Sequence, residues 1–316
     1  VTADSSSSPA LADLPADKLG QLWVNEGVGL RIGPFDARIR VSVPAVQSAL
    51  TQFYANHPVV SADQVFSFHL ALEPTRAAPR MYRRMVRFKV DGRRPHEDMP
   101  RAQALPIFEW GLNLVVALRC YRFLMLHAAV LERGGNALLL PAAPGDGKST
   151  LCAALAFRGW RLFSDEFGLL RPGSREMLPV PRPIALKNES VEIISDFAPD
   201  AKIGPLTRNT RKGDVAHVIP PADSVHRQDE SAPARLIVFP QWQQGAGLEV
   251  EALAPAETFM QLATNAFNYD MLGESGFDTA RDLVAGARCF RLRYGDLADA
   301  VAYLDALTGQ EPERDE

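Results

Sequence analysis

A glycine-rich turn between an apolar run and an alanine-rich stretch is the part of this sequence best suited to chemistry. The turn covers residues 142–147 and is followed directly by Lys148, Ser149 and Thr150. Glycines accept backbone angles that other residues avoid, so successive N–H groups of such a turn can point at one anion, beside the positive end of the next helix. A lysine here reaches the β- and γ-phosphates of a nucleotide, and the first hydroxyl binds Mg²⁺. The spacing therefore predicts a phosphate-binding loop for ATP and Mg²⁺, with Thr150 as the second choice of hydroxyl. The predicted nucleotide-binding residues of this segment are Pro144, Gly145, Asp146, Gly147, Lys148, Ser149 and Thr150.

One position departs from the usual pattern of such loops, which begins on a glycine. This chain has Ala142 there. The alternative interpretation is an ordinary glycine turn that carries a surface lysine. We favour the phosphate-binding loop because a strand, a loop, the Gly-Lys-Ser sequence and a helix coincide in this segment. The sequence leaves the preference for ATP over GTP open.

Two adjacent carboxylates, Asp165 and Glu166, follow the loop at short range. A helix capped by Gly159 leads into an apolar strand, 160–164, which ends on this pair. A strand that returns after one short helix brings its acids to the carboxyl edge of the sheet, where Mg²⁺ and phosphate lie. The predicted metal ligands are therefore Ser149, Asp165 and Glu166.

Several segments together resemble a known family. Three segments are similar to the catalytic domain of HPr kinase/phosphorylase, a family related to PEP carboxykinase. They are residues 126–130, 144–149 and 159–166. A closer resemblance, to HPr-kinase-related kinase A of exosortase/PEP-CTERM systems, rests on segments 108–113, 181–188 and 265–269. The second resemblance covers nearly the whole chain.

The resemblance implies an α/β fold with a P-loop kinase domain of the HPr kinase/PEP carboxykinase type, preceded by an N-terminal α+β module. It also implies three catalytic residues. Asp165 would orient or deprotonate the acceptor hydroxyl, Lys148 would hold the phosphates, and His127 would act as a proton shuttle or as a charge partner of Asp165. The family uses a further glutamate on Mg²⁺; here Glu166 is the simplest substitute and Glu189 the next.

Two isolated cations, Arg182 and Lys187, lie in the proline-rich and otherwise neutral stretch 179–188. A buried cation has to meet an anion, so we predict that both contact phosphate. The alternative is exposure on a loop.

Composition and hydropathy limit the classes of partner. The chain has 316 residues and a formal net charge of −4, which gives no general attraction to nucleic acid or to an anionic membrane. The apolar run 108–126, about nineteen residues long, contains four polar groups and is better interpreted as a buried helix than as a membrane span. Cys120, Cys152 and Cys289 show neither zinc nor disulfide spacing. With no signal peptide apparent, we expect buried thiols in a reducing cytoplasm. A homo-oligomer is compatible with the sequence.

The predicted domain organisation has four parts. Residues 1–10 are expected to be disordered, 11–124 to form the α+β module, 125–312 to form the kinase domain, and 313–316 to be an acidic tail. Further predicted elements include helices over 11–26, 44–54 and 297–307, a strand over 289–294 and a mobile surface loop over 220–234.

The predicted function is an ATP-dependent kinase that transfers the γ-phosphate to a hydroxyl acceptor. That acceptor is a protein or peptide serine or a small hydroxylated metabolite. The alternative is a nucleotide-binding regulatory or assembly factor of an exosortase-type system that lacks transfer. Ala142 and the missing family glutamate favour that alternative, whereas His127, Lys148, Ser149 and Asp165 oppose it. An ATPase that drives motion would need a water-positioning residue and an arginine finger, and neither can be assigned.

Overall fold

The computed structural model describes residues 8–75, 84–143 and 145–308, which form three β-sheets with helices packed against them. The predicted acidic tail and the first seven residues of the predicted disordered start lie outside the described residues. Within the described ranges, no helix is long and apolar enough to cross a membrane. The apolar run 108–126 forms part of a buried helix followed by the start of a strand.

A five-stranded sheet in the order β1-β2-β3-β4-β5 organises the N-terminal part. Strands β2 and β3 are parallel and the other pairs are antiparallel. Apart from the 3₁₀ turns Leu11–Asp13 and Arg101–Gln103, its elements are α1 (Ala16–Val24), β1 (Val28–Ile32), β2 (Phe35–Val41), α2 (Pro44–Phe53), β3 (Phe68–Thr75), β4 (Met85–Val90), β5 (Met99–Pro100) and α3 (Ala104–Arg119).

The rest of the described chain forms an eight-stranded and a three-stranded sheet with six helices. In chain order the elements are β6 (Leu124–Arg133), β7 (Asn136–Pro141), α4 (Lys148–Ala156), β8 (Arg161–Ser164), β9 (Phe167–Leu170), β10 (Glu176–Leu178), β11 (Ile184–Lys187), α5 (Ser190–Phe197), β12 (Thr207–Thr210), β13 (Gly213–Val218), α6 (Ala222–His226), β14 (Ala232–Trp242), β15 (Glu249–Ala252), α7 (Pro255–Thr264), α8 (Tyr269–Ala285), β16 (Arg288–Tyr294) and α9 (Leu297–Thr308).

The topology of the eight-stranded sheet decides which residues meet. Its order is β10-β9-β6-β7-β14-β16-β15, and β8 also pairs with β6. Strand β6 runs antiparallel to both β7 and β8, with Ala128 opposite Pro141 and Val130 opposite Ser164. The carboxyl ends of β7 and β8 therefore reach the same edge of the sheet, and the start of β6 lies between them.

The smaller sheet, β11-β13-β12, covers α4. Ile184 and Leu186 of β11 and Val218 of β13 share a buried core with Leu151 and Leu155 of α4. This packing holds the small sheet over the first turn of α4, opposite the glycine loop.

Besides the run 108–126, two further predicted elements differ from the structure. The helix predicted over 11–26 is a 3₁₀ turn followed by the shorter α1. The loop predicted over 220–234 instead contains α6 and the start of β14, because its polar side chains bond to buried backbone. The hydroxyl of Ser224 accepts the N–H of Leu162, and the side-chain oxygen of Gln228 accepts the N–H of Gly33.

Candidate functional site

The candidate site lies at the sheet edge where β7 and β8 end and β6 begins. A pocket of about 520 Å³ opens there between the glycine loop and the small sheet. The loop and the first turn of α4 form one wall, and His127 and Glu166 form the inner end. The opposite wall is formed by Lys187 at the end of β11, by Asn188 directly after it, and by Lys212 in the turn between β12 and β13.

At two positions of the glycine loop, the backbone has a conformation that only glycine adopts readily. Gly145 has a φ of 107° and Gly147 a φ of 85°. The Asp146 carboxylate accepts the N–H of Ala143 at 3.0 Å, and the Asp146 carbonyl accepts the N–H of Trp242 at 3.2 Å. These bonds fix the loop at the ends of β7 and β14. Pro144 lies outside the described residues.

Ala142 is compatible with the loop as it stands. The described non-glycine residues with a positive φ are Asp91, Asn188 and Asn209, and Ala142 is not among them. Because its side chain is buried without demanding a left-handed backbone, this position requires no glycine. The departure from the usual pattern therefore causes no backbone strain.

Lys148 is the cation of the site and is almost fully buried. Its ammonium donates to the carbonyl oxygen of Asp165 and lies 3.7 Å from that residue's carboxylate and 3.8 Å from the carboxylate of Glu166. Burial acts to lower the pKa of Lys148, but the two carboxylates outweigh it and leave that pKa above the usual value. The lysine therefore stays charged at neutral pH.

Asp165 is the most deeply buried acid of the site. Its Oδ2 accepts the hydroxyl of Ser149 at 3.1 Å, whereas its Oδ1 has no hydrogen-bond partner among the described residues. Burial raises the pKa of Asp165, and the nearby Lys148 offsets this only in part. Thr150 faces a different group, because its hydroxyl donates to the Ser190 hydroxyl at 2.9 Å.

Glu166 is held by His127 and by the turn at the end of β8. The His127 Nε2 lies 3.2 Å from a Glu166 carboxylate oxygen, and the hydroxyl of Ser164 accepts the N–H groups of Glu166 and Phe167. Burial would raise the pKa of Glu166, but the bond with His127 and the charge of Lys148 lower it to about 2. This carboxylate is therefore ionised at neutral pH.

Segment 265–269 positions His127, a role that its sequence did not indicate. The carbonyl of Asn265 accepts the His127 N–H at 2.8 Å, and the ring of Phe267 packs edge-on against the imidazole, with the ring centres 5.5 Å apart. The buried Asn268 side chain accepts the N–H of Met125 and donates to the carbonyl of Phe123. The segment therefore fixes the start of β6.

Lys187 and Lys212 bring two further cations to the pocket. Within the described part of the chain, neither forms an ion pair with an acid. Burial and the charge of Lys212 lower the pKa of Lys187. The ammonium of Lys212 lies 5.3 Å from the ring centre of Trp110, a cation–π contact with α3. Asn188 was absent from the predicted binding residues.

The structure does not bring Arg182 to the loop. Its guanidinium instead donates to Glu109 of α3 at 2.6 Å and also bonds to the Asn113 side chain. Burial would lower the pKa of Arg182, but Tyr54 and Glu109 raise it above the usual value. The anion that this buried cation required is therefore Glu109.

The oxygen donors at the loop suit Mg²⁺. A hydroxyl on Ser149 and carboxylates on Asp165 and Glu166 are hard ligands, and the buried Asp165 Oδ1 has no hydrogen-bond partner among the described residues. Across the residues that the structure describes, no three His, Cys, Asp or Glu side chains converge as a complete metal site. Mg²⁺ keeps several waters and binds through one or two carboxylates together with phosphates, so the donors fit that ion.

Comparisons with known proteins found a distant structural likeness. No family model matches the sequence, and no curated protein matches it. Among solved structures, the chain is similar to the Hpr(Ser) kinase/phosphatase from Coxiella burnetii, with 13% sequence identity and a TM-score of 0.27. The match covers 59% of this chain and 99% of that chain. At this distance the likeness carries no argument about activity, and any conclusion on function depends on the geometry of the site itself.

Proposed function

We propose that this protein binds ATP with Mg²⁺ and transfers the γ-phosphoryl group to a hydroxyl acceptor. One observation carries the proposal: a lysine and a hydroxyl after a positive-φ glycine loop meet two carboxylates at the same sheet edge. Lys148 lies within 3.8 Å of both acids, and Ser149 bonds to one of them. A glycine turn with a surface lysine would not require this convergence.

The binding roles follow from charge and from backbone geometry. Loop N–H groups and the N-terminus of α4 would hold the β- and γ-phosphates, with the ammonium of Lys148 as a point charge. Lys187 and Lys212 are the pocket cations without an acidic partner among the described residues, so a polyphosphate would supply the anion that they lack. Asp146 would stabilise the loop rather than contact phosphate, because its carboxylate bonds back to the backbone of Ala143.

Phosphoryl transfer requires mainly positioning and neutralisation of charge. Ser149, Asp165 and Glu166 would hold Mg²⁺, which would neutralise charge on the phosphate oxygens. The buried carboxylate of Asp165, with its raised pKa, would accept the proton of the attacking hydroxyl. The acceptor oxygen then bonds to the γ-phosphorus while the bond to the bridging oxygen breaks and ADP leaves. His127 would hold Glu166 in place.

The acceptor is proposed only as a class: a protein or peptide serine, or a small hydroxylated metabolite. A reducing cytoplasm is the proposed compartment, because Cys120, Cys152 and Cys289 are buried free thiols. The alternative, a regulatory factor that binds nucleotide without transfer, keeps the binding roles and removes the role of Asp165 as a base.

The test is incubation of the protein with γ-labelled ATP, Mg²⁺ and cell extract, followed by identification of the labelled product. The matched control is the Asp165→Asn variant, which keeps the shape of the side chain. We expect label transfer by the wild type alone and MgATP binding, measured by calorimetry, by both proteins. Binding without any transfer would favour the regulatory alternative, and absence of MgATP binding would refute both.

A further inference from the structure

A polar cluster that the proposed mechanism does not use is buried between α3 and segment 179–188. The ion pair of Glu109 and Arg182 forms its centre, and the hydroxyl of Tyr54 donates to Glu109 at 3.0 Å. Arg182 also donates to the backbone carbonyl of Glu109 and to the side chain of Asn113. The cluster thus joins the N-terminal module to segment 179–188, which leads into β11 of the small sheet.

A small cavity of about 20 Å³ lies between this cluster and the acid pair. Glu109, Asn113 and Arg182 form one wall, and His217 on β13 forms another. Asp165 forms the wall towards the candidate site. The cavity is large enough for one water molecule, which needs roughly 10–15 Å³ of such space.

His217 is a buried polar group of this cavity that needs hydrogen-bond partners. It is 1% exposed, and neither ring nitrogen has a hydrogen-bond partner among the described residues. Burial lowers the pKa of His217, which keeps the imidazole neutral with one donor and one acceptor. Buried polar atoms in native proteins nearly always have partners, and an ordered water is the usual one when the protein supplies none.

Asp165 presents the complementary acceptor. Its Oδ1 is buried and has no hydrogen-bond partner among the described residues, although the Lys148 ammonium lies 3.7 Å from it, and the residue lines the same cavity as His217. A carboxylate has about four acceptor positions, so a bond on the cavity side leaves the side towards Ser149 available. A water that donates to Asp165 and bonds to one ring nitrogen of His217 would give each residue a partner.

We propose that one buried water occupies this cavity and links His217 to Asp165, which makes His217 a positioning residue for the carboxylate. The inference rests on the proposed function for the role of Asp165, but the water itself does not. Glu109, Asn113 and Arg182 line the cavity on the side of α3. The N-terminal module therefore contributes residues next to the proposed catalytic carboxylate.

The first test is structural. A crystal structure of the full chain at a resolution that shows ordered water should contain one water within hydrogen-bond distance of a His217 nitrogen and an Asp165 oxygen. An empty cavity, or a direct bond between the two side chains, would overturn the proposal. This result does not depend on whether the protein is a kinase.

The second test is kinetic and uses the His217→Phe variant, with transfer of label from γ-labelled ATP to the acceptor identified in cell extract as the readout. Loss of an outer partner of a catalytic or metal-binding group typically lowers activity by about 10–100-fold, so we expect kcat to fall in that range. We expect KM for MgATP to stay unchanged, and His217→Gln, which keeps a donor and an acceptor, to recover most of the rate. If wild-type protein transfers no label to any component of the extract although the water is present, the proposed function fails and the water site stands.

The matched control is Phe53→Leu, because the Phe53 ring packs against His217, with the ring centres 5.8 Å apart, and does not line the cavity. This variant tests whether weaker packing around His217 is enough to lower kcat. We expect a lower melting temperature with kcat unchanged. An equal loss of kcat in Phe53→Leu and His217→Phe would overturn the positioning role.

Discussion

Lys148 carries the positive charge nearest to both carboxylates of the site, so its replacement tests the proposed phosphate contact most directly. A hydrogen bond to a charged group contributes about 1.5–3 kcal/mol, so Lys148→Ala should weaken MgATP binding by roughly 10–100-fold. Calorimetric titration with MgATP measures this effect. Lys18→Ala, which removes an exposed lysine on α1, is the matched control and should bind normally. Equal affinity in both variants would exclude Lys148 as a phosphate ligand.

Replacement of Asp165 is expected to abolish phosphoryl transfer while leaving most of the nucleotide affinity. The Asp165→Asn side chain still accepts the Ser149 hydroxyl but can neither take a proton nor hold Mg²⁺ as an anion. We expect retention of nucleotide affinity within about tenfold and loss of detectable phosphoryl transfer, which lowers kcat by about 10²-fold or more. Binding and turnover are measured on the same preparation. Turnover at the wild-type rate would remove Asp165 from the reaction.

Gly147 combines a conformational and a steric requirement. A Cβ there would lie 2.7 Å from the Tyr294 hydroxyl, on a backbone with φ of 85°. Gly147→Ala should therefore destabilise the protein by more than the ~1–2 kcal/mol of a left-handed alanine, and it should weaken MgATP binding. Gly173→Ala should lose only the stability that the left-handed backbone costs, because its φ is 73° and nothing lies within 4 Å of the added Cβ. Denaturant unfolding and MgATP titration compare the two variants.

At the scale of elements, the site was predictable where its parts are close in sequence. One strand, one loop and one helix separate Pro141 from Ser164, and the antiparallel β6 between β7 and β8 places their ends together, as the acid pair suggested. The helix predicted from Pro44 is confirmed as Pro44–Phe53, because the proline at its start and its apolar spacing are local signals.

Contacts between residues that are far apart in the sequence could not be predicted from local patterns. Arg182 and Glu109 are 73 residues apart, so nothing local in the sequence could tell a phosphate partner from a carboxylate in another helix. The link from Phe267 to His127 spans a still longer stretch of chain. The closer family resemblance rests on segments 108–113, 181–188 and 265–269, and the structure gives each of them contacts around the site.

The Glu109–Arg182 pair links α3 to segment 179–188, and it should behave as a buried ion pair. Removing one partner leaves a charge buried alone, so Arg182→Met should lower the free energy of unfolding by about 3–5 kcal/mol. The double variant Glu109→Leu, Arg182→Met should lose clearly less than the sum of the single variants. Urea unfolding measures these differences. Additive losses would mean that the pair is not coupled, and Arg281→Ala, in an exposed pair, should change little.

At the scale of the whole molecule, one hydrophobic core crosses the predicted boundary near residue 124. Met125, Phe167, Leu169, Leu178 and Val180 belong to the same buried cluster as the strands and helices of the N-terminal module. The proposed domains remain useful as descriptions of topology. Physically, however, the acid-bearing strands and α3 share one interior, which explains how α3 can contribute Glu109 and Trp110 beside the site.

Separation of the two parts should therefore unfold the second. Burial of an apolar side chain contributes about 1.5–3 kcal/mol, so exposing the five residues named above would cost roughly 7–15 kcal/mol. That range matches the total stability of a typical domain, about 5–15 kcal/mol. We expect a fragment of residues 122–316 to lack a cooperative thermal transition by circular dichroism and to regain it on coexpression with residues 1–121. A cooperative melt of the fragment alone, near that of the full chain, would show that the shared core is dispensable and that the predicted boundary is a true domain boundary.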